Sequence, residues 1–147
     1  MARLIPDREN RWPHLLSEGY EVTSKDTPDY NCIAFAAGVT DQWWEPDING
    51  LCAWPIVRRE YSIDCFIEAF KTQQYEVCEP GFEPDHERIA FYALNGQITH
   101  AARQIEDGKW TSKLGDWEDI QHTTTKAVEE YIYGKAVVFM KRKRTHA

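Results

Sequence analysis

The sequence predicts an α+β fold in which helices come first and an antiparallel sheet follows. Residues 62–73 carry apolar side chains at helical spacing, and Ser62 stands where it would cap that helix. From residue 88 onward, β-rich segments are separated by Asn95-Gly96 and Asp107-Gly108, which are typical of hairpin turns. Helices and strands that are segregated along the chain in this way are typical of the α+β class.

Length and composition predict one domain over residues 1–147, with its core in about 20–142 and a basic tail in 141–147. The chain has 147 residues, an apolar content of 42% and a net charge of −7. The negative charge argues against nucleic acid as a partner. The basic run Lys141-Arg142-Lys143-Arg144 is therefore interpreted as a solvated tail that follows the last strand.

The four cysteines and the N-terminal residues predict a cytoplasmic protein. The first residues lack the apolar run of a secretory signal, and no apolar segment is long enough to cross a membrane. Cysteines 32, 52, 65 and 78 form no Cys-x-x-Cys pair, so we expect free thiols without a metal or another cofactor.

The remaining elements are placed by local pattern. Residues 6–19 predict a short or broken helix, because Pro13 interrupts the helical spacing. Residues 20–31 are expected to be extended chain and loop, and residues 123–132 to form a helix. The continuous apolar run in 136–140 is typical of a covered strand, which we expect to join the same sheet as the hairpins.

Cys32 is the candidate nucleophile, because the segment Tyr30–Gly38 places it where a loop becomes a short buried helix. Free N–H groups and the helix dipole would stabilise a thiolate there and lower its pKa, and the Cys32 N–H could contribute to an oxyanion site. The alternative is that Cys32 is a small apolar side chain in a core helix. Likewise, Trp43, Trp44 and Trp54 in the following loop either wall a substrate cleft or cap the core.

His100 is the candidate base, since it lies among small residues in the central strand of the predicted meander. A three-residue loop with Gly108 left-handed pairs Ile105 with Lys109 and puts His100 on one face with Ser112. Asp116 follows just past that strand. Either Ser112 or Asp116 would then orient the imidazole, the third role in a catalytic triad.

Three segments, YNCIAFAAG with Trp43-Trp44, THAARQIEDGKWTSKLGDWEDIQH and YGKAVVFMKR, resemble a bacterial family of uncharacterised small proteins. More widely, a helix-opening cysteine followed by a histidine on an antiparallel sheet resembles compact papain-like hydrolases of the NlpC type. That resemblance implies a papain-like core, with the cysteine helix packed on a C-terminal antiparallel sheet, Cys32 as nucleophile and His100 as base.

These observations together predict a cysteine hydrolase of the peptidase or amidase type. Its partner would be a peptide or another amide-containing substrate, and neither nucleic acid nor membrane is expected. Two alternatives stay open, namely a non-catalytic binding module on the same scaffold and an antibacterial amidase effector. The sequence leaves the substrate and the oligomeric state undetermined.

Overall fold

A computed structural model describes residues 3–144 of the chain. Its helices are short: α1 Pro6–Glu9, α2 Leu15–Glu18, α3 Cys32–Ala36, α4 Ile63–Lys71 and a 3-10 turn at Thr125–Val128. Its strands are β1 Tyr20–Ser24, β2 Glu76–Cys78, β3 His86–Leu94, β4 Gln97–Gln104, β5 Trp110–Lys113, β6 Asp119–His122 and β7 Lys135–Lys143. All seven strands form one antiparallel sheet in the order β1-β6-β5-β4-β3-β7-β2.

The predicted meander is confirmed, including its turns. Asn95 and Gly96 have φ angles of 54° and 77°, as a tight hairpin between β3 and β4 requires. In the next hairpin, the Ile105 N–H donates to the Lys109 carbonyl at 2.8 Å. Strand β7 pairs with β3, so the apolar run near the C-terminus belongs to the same sheet, as expected.

Both faces of the sheet are covered by apolar side chains. Along β3, Ile89 and Phe91 belong to a cluster around α3 and α4, whereas Ala90 and Tyr92 belong to a second cluster on the other face. This alternation follows from the period of two along a strand. Burial of each large side chain contributes about 1.5–3 kcal/mol, so the two clusters stabilise the sheet from both sides.

The expected papain-like core, with N-terminal helices and a cysteine helix packed on a C-terminal sheet, is wrong. The structure is mostly sheet, and its helices are four to nine residues long. The sheet is not C-terminal either, because β1 pairs with β6 and β2 pairs with β7. Both edge strands precede the predicted meander in the chain, and β1 lies in residues 20–31, which were expected to be extended chain and loop.

Two local predictions also fail. The segment 123–132 forms only a 3-10 turn over Thr125–Val128, followed by Glu130 and Tyr131 with φ of 72° and 52°, which end any helix. The predicted basic tail 141–147 begins inside β7, where Lys141 and Arg142 pair with carboxylates. Its last three residues, 145–147, lie outside the described part of the chain.

Between residues 3 and 144, none of the helices has both the length and the hydrophobicity that a bilayer crossing requires. The longest helix, α4, has nine residues, whereas a spanning helix needs about 20.

Candidate active site

Cys32 is the first residue of α3, as predicted, and its helix is held in place by Asn31. The Asn31 side chain caps α3 by accepting from the Ala34 N–H at 3.1 Å. The same side chain accepts from the Trp44 N–H at 3.0 Å and donates to the Trp44 carbonyl at 2.9 Å. Asn31 therefore ties the start of the cysteine helix to the tryptophan loop.

The sheet beneath α3 has an opening between β4 and β5. These strands pair only at Arg103–Thr111 and Gln104–Trp110, although β4 extends further, and α3 packs across both. Alternate residues of a strand direct their N–H groups to the same neighbour, so the N–H of Ala101 points toward β5 as that of Arg103 does. At Ala101 no β5 residue is paired, and the Ala101 N–H instead interacts with the Cys32 thiol.

The protonation state of Cys32 differs from the expectation. Burial raises the pKa of the Cys32 thiol to about 12, and the charge of Glu45 adds to the rise. The backbone N–H groups of Ala101 and Ile33 lower the pKa again, but only in part. The prediction of a lowered pKa is therefore wrong for this arrangement, and Cys32 is a thiol at neutral pH.

His100 lies in a buried chain of hydrogen bonds that includes a second histidine. Its Nε2 is 3.1 Å from Ser112 Oγ, which in turn is 2.8 Å from His122 Nε2. His122 Nδ1 is 2.7 Å from the Thr124 carbonyl oxygen. His100, Ser112 and His122 are all buried, so this polar chain lies inside the apolar cluster on the side of the sheet that carries Tyr92.

The Thr124 carbonyl fixes the direction of every bond in this chain. A carbonyl can only accept, so His122 Nδ1 carries the single proton of the neutral ring, and His122 Nε2 accepts from the Ser112 hydroxyl. Ser112 Oγ then accepts from His100 Nε2–H, which leaves His100 Nδ1 without a proton. Within the described residues, that buried Nδ1 has no hydrogen-bond partner.

Burial accounts for the neutral state of both rings. It lowers the pKa of His100 well below 6.5 and that of His122 to about 4. The proximity of His122 lowers the pKa of His100 further.

Two aromatic side chains pack against His100. The Tyr133 ring stacks on the imidazole with ring centroids 3.9 Å apart, and Tyr92 contacts it edge-on with centroids 5.1 Å apart.

Cys32 and His100, the predicted nucleophile and base, are not hydrogen-bonded to each other in the structure. Over residues 3–144, no hydrogen bond connects Cys32 Sγ to His100. Cys32 packs in the cluster that contains Ala101, whereas the neighbours of His100 belong to the opposite cluster.

The structure distinguishes between Ser112 and Asp116, the two candidates for orienting His100. The predicted register is confirmed, since Arg103 pairs with Thr111, and Ser112 lies on the His100 face and bonds its ring. Asp116 lies exposed in the turn after β5 and makes no hydrogen bond to His100. Ser112 is therefore the residue in contact with the imidazole.

Of the three tryptophans predicted to wall a cleft or cap the core, Trp44 and Trp54 pack against the core. Trp44 is buried against Phe70, and Trp54 is half-buried against Phe66. Trp43 is the most exposed of the three, at 37%, and its indole N–H donates to the Pro28 carbonyl at 2.6 Å. Their role in substrate binding stays a prediction, for which Trp43 offers the most accessible ring of the three.

Sequence reasoning missed His122 and Tyr133. Because Gly115 permits a tight turn with φ of 64°, β6 returns beside β5 and Trp110 pairs with His122. That glycine was the available signal for a further strand. Tyr133 reaches His100 from a turn before β7, and no local pattern indicates that contact.

Among residues 3–144, one group of side chains could hold a metal ion, at the start of β3. Glu83, Asp85 and His86 lie close together there at the surface. The Glu83 carboxylate, however, already pairs with Arg88 and Lys141, at 2.9 and 2.8 Å, so its charge is compensated without a cation.

Comparison with known proteins gives one match. The family model described as "Domain of unknown function (DUF7689)" matches residues 21–141, which run from the second residue of β1 into β7. No curated protein and no solved structure matches the chain.

Proposed function

The chain belongs to the family of the domain of unknown function DUF7689, and we propose that it is a cysteine hydrolase that cleaves an amide or ester bond. In this proposal, Cys32 Sγ attacks the carbonyl carbon while its proton passes to His100 Nδ1. The protonated imidazole then gives the proton to the leaving amine or alcohol. Water hydrolyses the resulting thioester and restores Cys32.

The observation that carries the proposal is the unpartnered Nδ1 of His100. A buried polar atom without a partner costs about 1–3 kcal/mol, and on an imidazole nitrogen such an atom is free to accept a proton. The hydrogen bonds to Ser112 and His122 make this nitrogen the basic one. A base presented in this way is what an incoming thiol proton requires.

The proposal requires a movement, because Cys32 and His100 approach β4 from opposite faces. The opening between β4 and β5 is where this movement would meet no strand-pairing hydrogen bonds.

The proposal retains the resemblance to NlpC-type hydrolases for the cysteine and the histidine alone, and not for the fold. A cytoplasmic location is part of the proposal and is supported by four free cysteines.

A non-catalytic binding module is the second candidate, favoured by the burial of Cys32. The thiol is only 8% exposed, and its pKa of about 12 leaves it protonated. A cysteine that merely packs against β4 would have these properties. In that case His100, Ser112 and His122 would serve to specify the packing of the core.

Thiol alkylation separates the two candidates. Iodoacetamide labelling across pH 6–9, read by mass spectrometry of each cysteine peptide, compares Cys32 with the half-buried Cys52 as an internal control. Iodoacetamide takes the place of the substrate as the electrophile, so in a hydrolase the Cys32 proton should pass to His100 Nδ1 during the attack. Cys32 should then react faster than Cys52 at pH 6, with the advantage lost in His100→Ala. Equal or slower labelling of Cys32 in the folded protein would favour the binding module.

A matched pair of variants tests the part played by Ser112. With p-nitrophenyl acetate as an activated ester, Ser112→Ala should reduce Cys32-dependent hydrolysis by about tenfold or more, since His100 loses its only side-chain hydrogen-bond partner in the described structure. Asp116→Ala, in the exposed turn, should leave the rate unchanged. Equal effects of the two substitutions would contradict the assigned role of Ser112.

A further inference from the structure

A groove lies on the α3 face of the sheet, beside the C-terminal part of β4. Its floor is a row of paired residues across three strands, Arg103, Thr111 and Gln121. Phe35 of α3 and Ile105 form apolar parts of its wall. The volume is about 580 Å³, within the range of about 300–1,000 Å³ that small-molecule sites occupy.

Positive charge exceeds negative charge at one end of this groove. Arg103 Nη2 and Arg142 Nε donate to the two oxygens of Glu87 at 2.9 and 2.6 Å, and Arg144 Nη1 lies 4.0 Å from the same carboxylate. Burial opposes ionisation of Glu87, but the guanidinium groups of Arg142 and Arg103 hold the pKa of this carboxyl below its ordinary value. Three cations thus share one carboxylate, in a chain whose net charge is −7.

Donors of this arginine cluster remain unused. Arg103 bonds Glu87 through Nη2 alone, and its Nη1 has no hydrogen-bond acceptor within the described part of the chain. Arg103 and Arg144 both line the groove, and Arg144 Nη2 also lacks a described partner. The acidic side chains of the groove, Glu106 and Asp107, belong to the tip of the β4–β5 hairpin.

We propose that this groove binds an organic carboxylate with an apolar body, which Arg103 holds through its free guanidinium edge. A planar carboxylate matches the fork of a guanidinium group, and such charge-assisted bonds are the strong ones. Phe35 and Ile105 are both half-buried and offer contact to an aromatic or aliphatic body. The site requires no chemistry from Cys32.

Binding of phenylacetate, followed by NMR titration of the full chain, tests the proposal. Phenylacetamide, which has the same shape without the charge, should bind at least about tenfold more weakly, as should phenylacetate to Arg103→Gln. Arg58→Gln removes an arginine from the loop before α4 instead and should bind like the wild type. Retained backbone shifts in each variant establish that the fold is intact.

Several results would overturn the proposal. These are equal binding of phenylacetate and phenylacetamide, undiminished binding by Arg103→Gln, and absence of phenylacetate binding. Inorganic phosphate that binds as tightly as phenylacetate would overturn the assignment to an organic carboxylate. Because Cys32→Ala should bind phenylacetate normally, failure of the hydrolase proposal and failure of this one are distinguishable.

Discussion

Acidification should destabilise this protein well before its carboxylates are protonated, because two neutral histidines are buried in its core. Burial depresses the folded-state pKa of both His100 and His122. In the unfolded chain each ring returns to its ordinary pKa of 6.5 and takes up a proton as the pH falls below that value. The stability that the two rings contribute is therefore complete above pH 6.5 and declines as the pH falls toward the folded-state values.

The size of the effect follows from His122. Its pKa falls from 6.5 to about 4 on folding, and each pKa unit corresponds to about 1.36 kcal/mol. Between about pH 7.5 and pH 5, His122 alone should lower the free energy of unfolding by about 2 kcal/mol. The pKa of His100 shifts in the same direction and adds to that loss. Carboxylates with lowered pKa values, such as Glu83 and Glu87, have ordinary values of 4.5 and add their effects mostly at lower pH.

Urea denaturation monitored by tryptophan fluorescence at a series of pH values measures this loss. His122→Gln cannot take up that proton, so its stability should fall less steeply with pH than that of the wild type, whatever its stability at pH 7.5. Comparison of slopes keeps the test independent of the cost of the substitution itself. A wild-type stability that is flat between pH 7.5 and 5, or identical slopes for the two proteins, would refute the reasoning.

Two further substitutions test the scaffold of the site, and urea denaturation measures both. Asn31→Ala should cost about 1–3 kcal/mol because it leaves the backbone groups of Trp44 unpaired, and retention of full stability would contradict the bridging role. Gly134→Ala should cost more than about 3 kcal/mol, because the added Cβ would lie 2.1 Å from the Ala93 carbonyl oxygen at a φ of +73°. Gly115→Ala, with φ of +64° and open space around it, should cost only about 1 kcal/mol, and equal losses would argue against the clash.

The two hairpins were predictable because their turns are encoded locally. Asn95-Gly96 supplies two residues with positive φ, and Gly108 supplies the left-handed position, with φ of 90°, that sets the β4–β5 register. Since the side-chain period along a strand is two, that register alone placed Ser112 on the His100 face. The contact between His100 and Ser112 could therefore be derived from sequence, whereas the exclusion of Asp116 required the structure.

The remainder of the fold depends on pairings between distant segments. Strands β1, β2 and β6 have three to five residues each, too few for a clear alternation, and β1 meets β6 across about a hundred residues of chain. No turn motif encodes such a pairing, so the sequence pattern showed fewer strands and suggested more helix than the structure has. The stacking of Tyr133 on His100 could not be predicted either, because no local motif encodes a contact between these distant residues.

The burial that depresses the histidine pKa values also bears on how a hydrolase could work here. With a thiol pKa of about 12 and an imidazole pKa well below 6.5, a separated thiolate and imidazolium are both disfavoured, since each charge would have to leave water. A proton that moves from Cys32 to His100 Nδ1 during the attack avoids that resting ion pair. The hydrogen bonds through Ser112 and His122 to the Thr124 carbonyl then stabilise the charged ring while the intermediate lasts. Chemistry at this site would therefore depend on substrate to bring the thiol to Nδ1, whereas a purely structural cysteine would stay protonated under all conditions that preserve the fold.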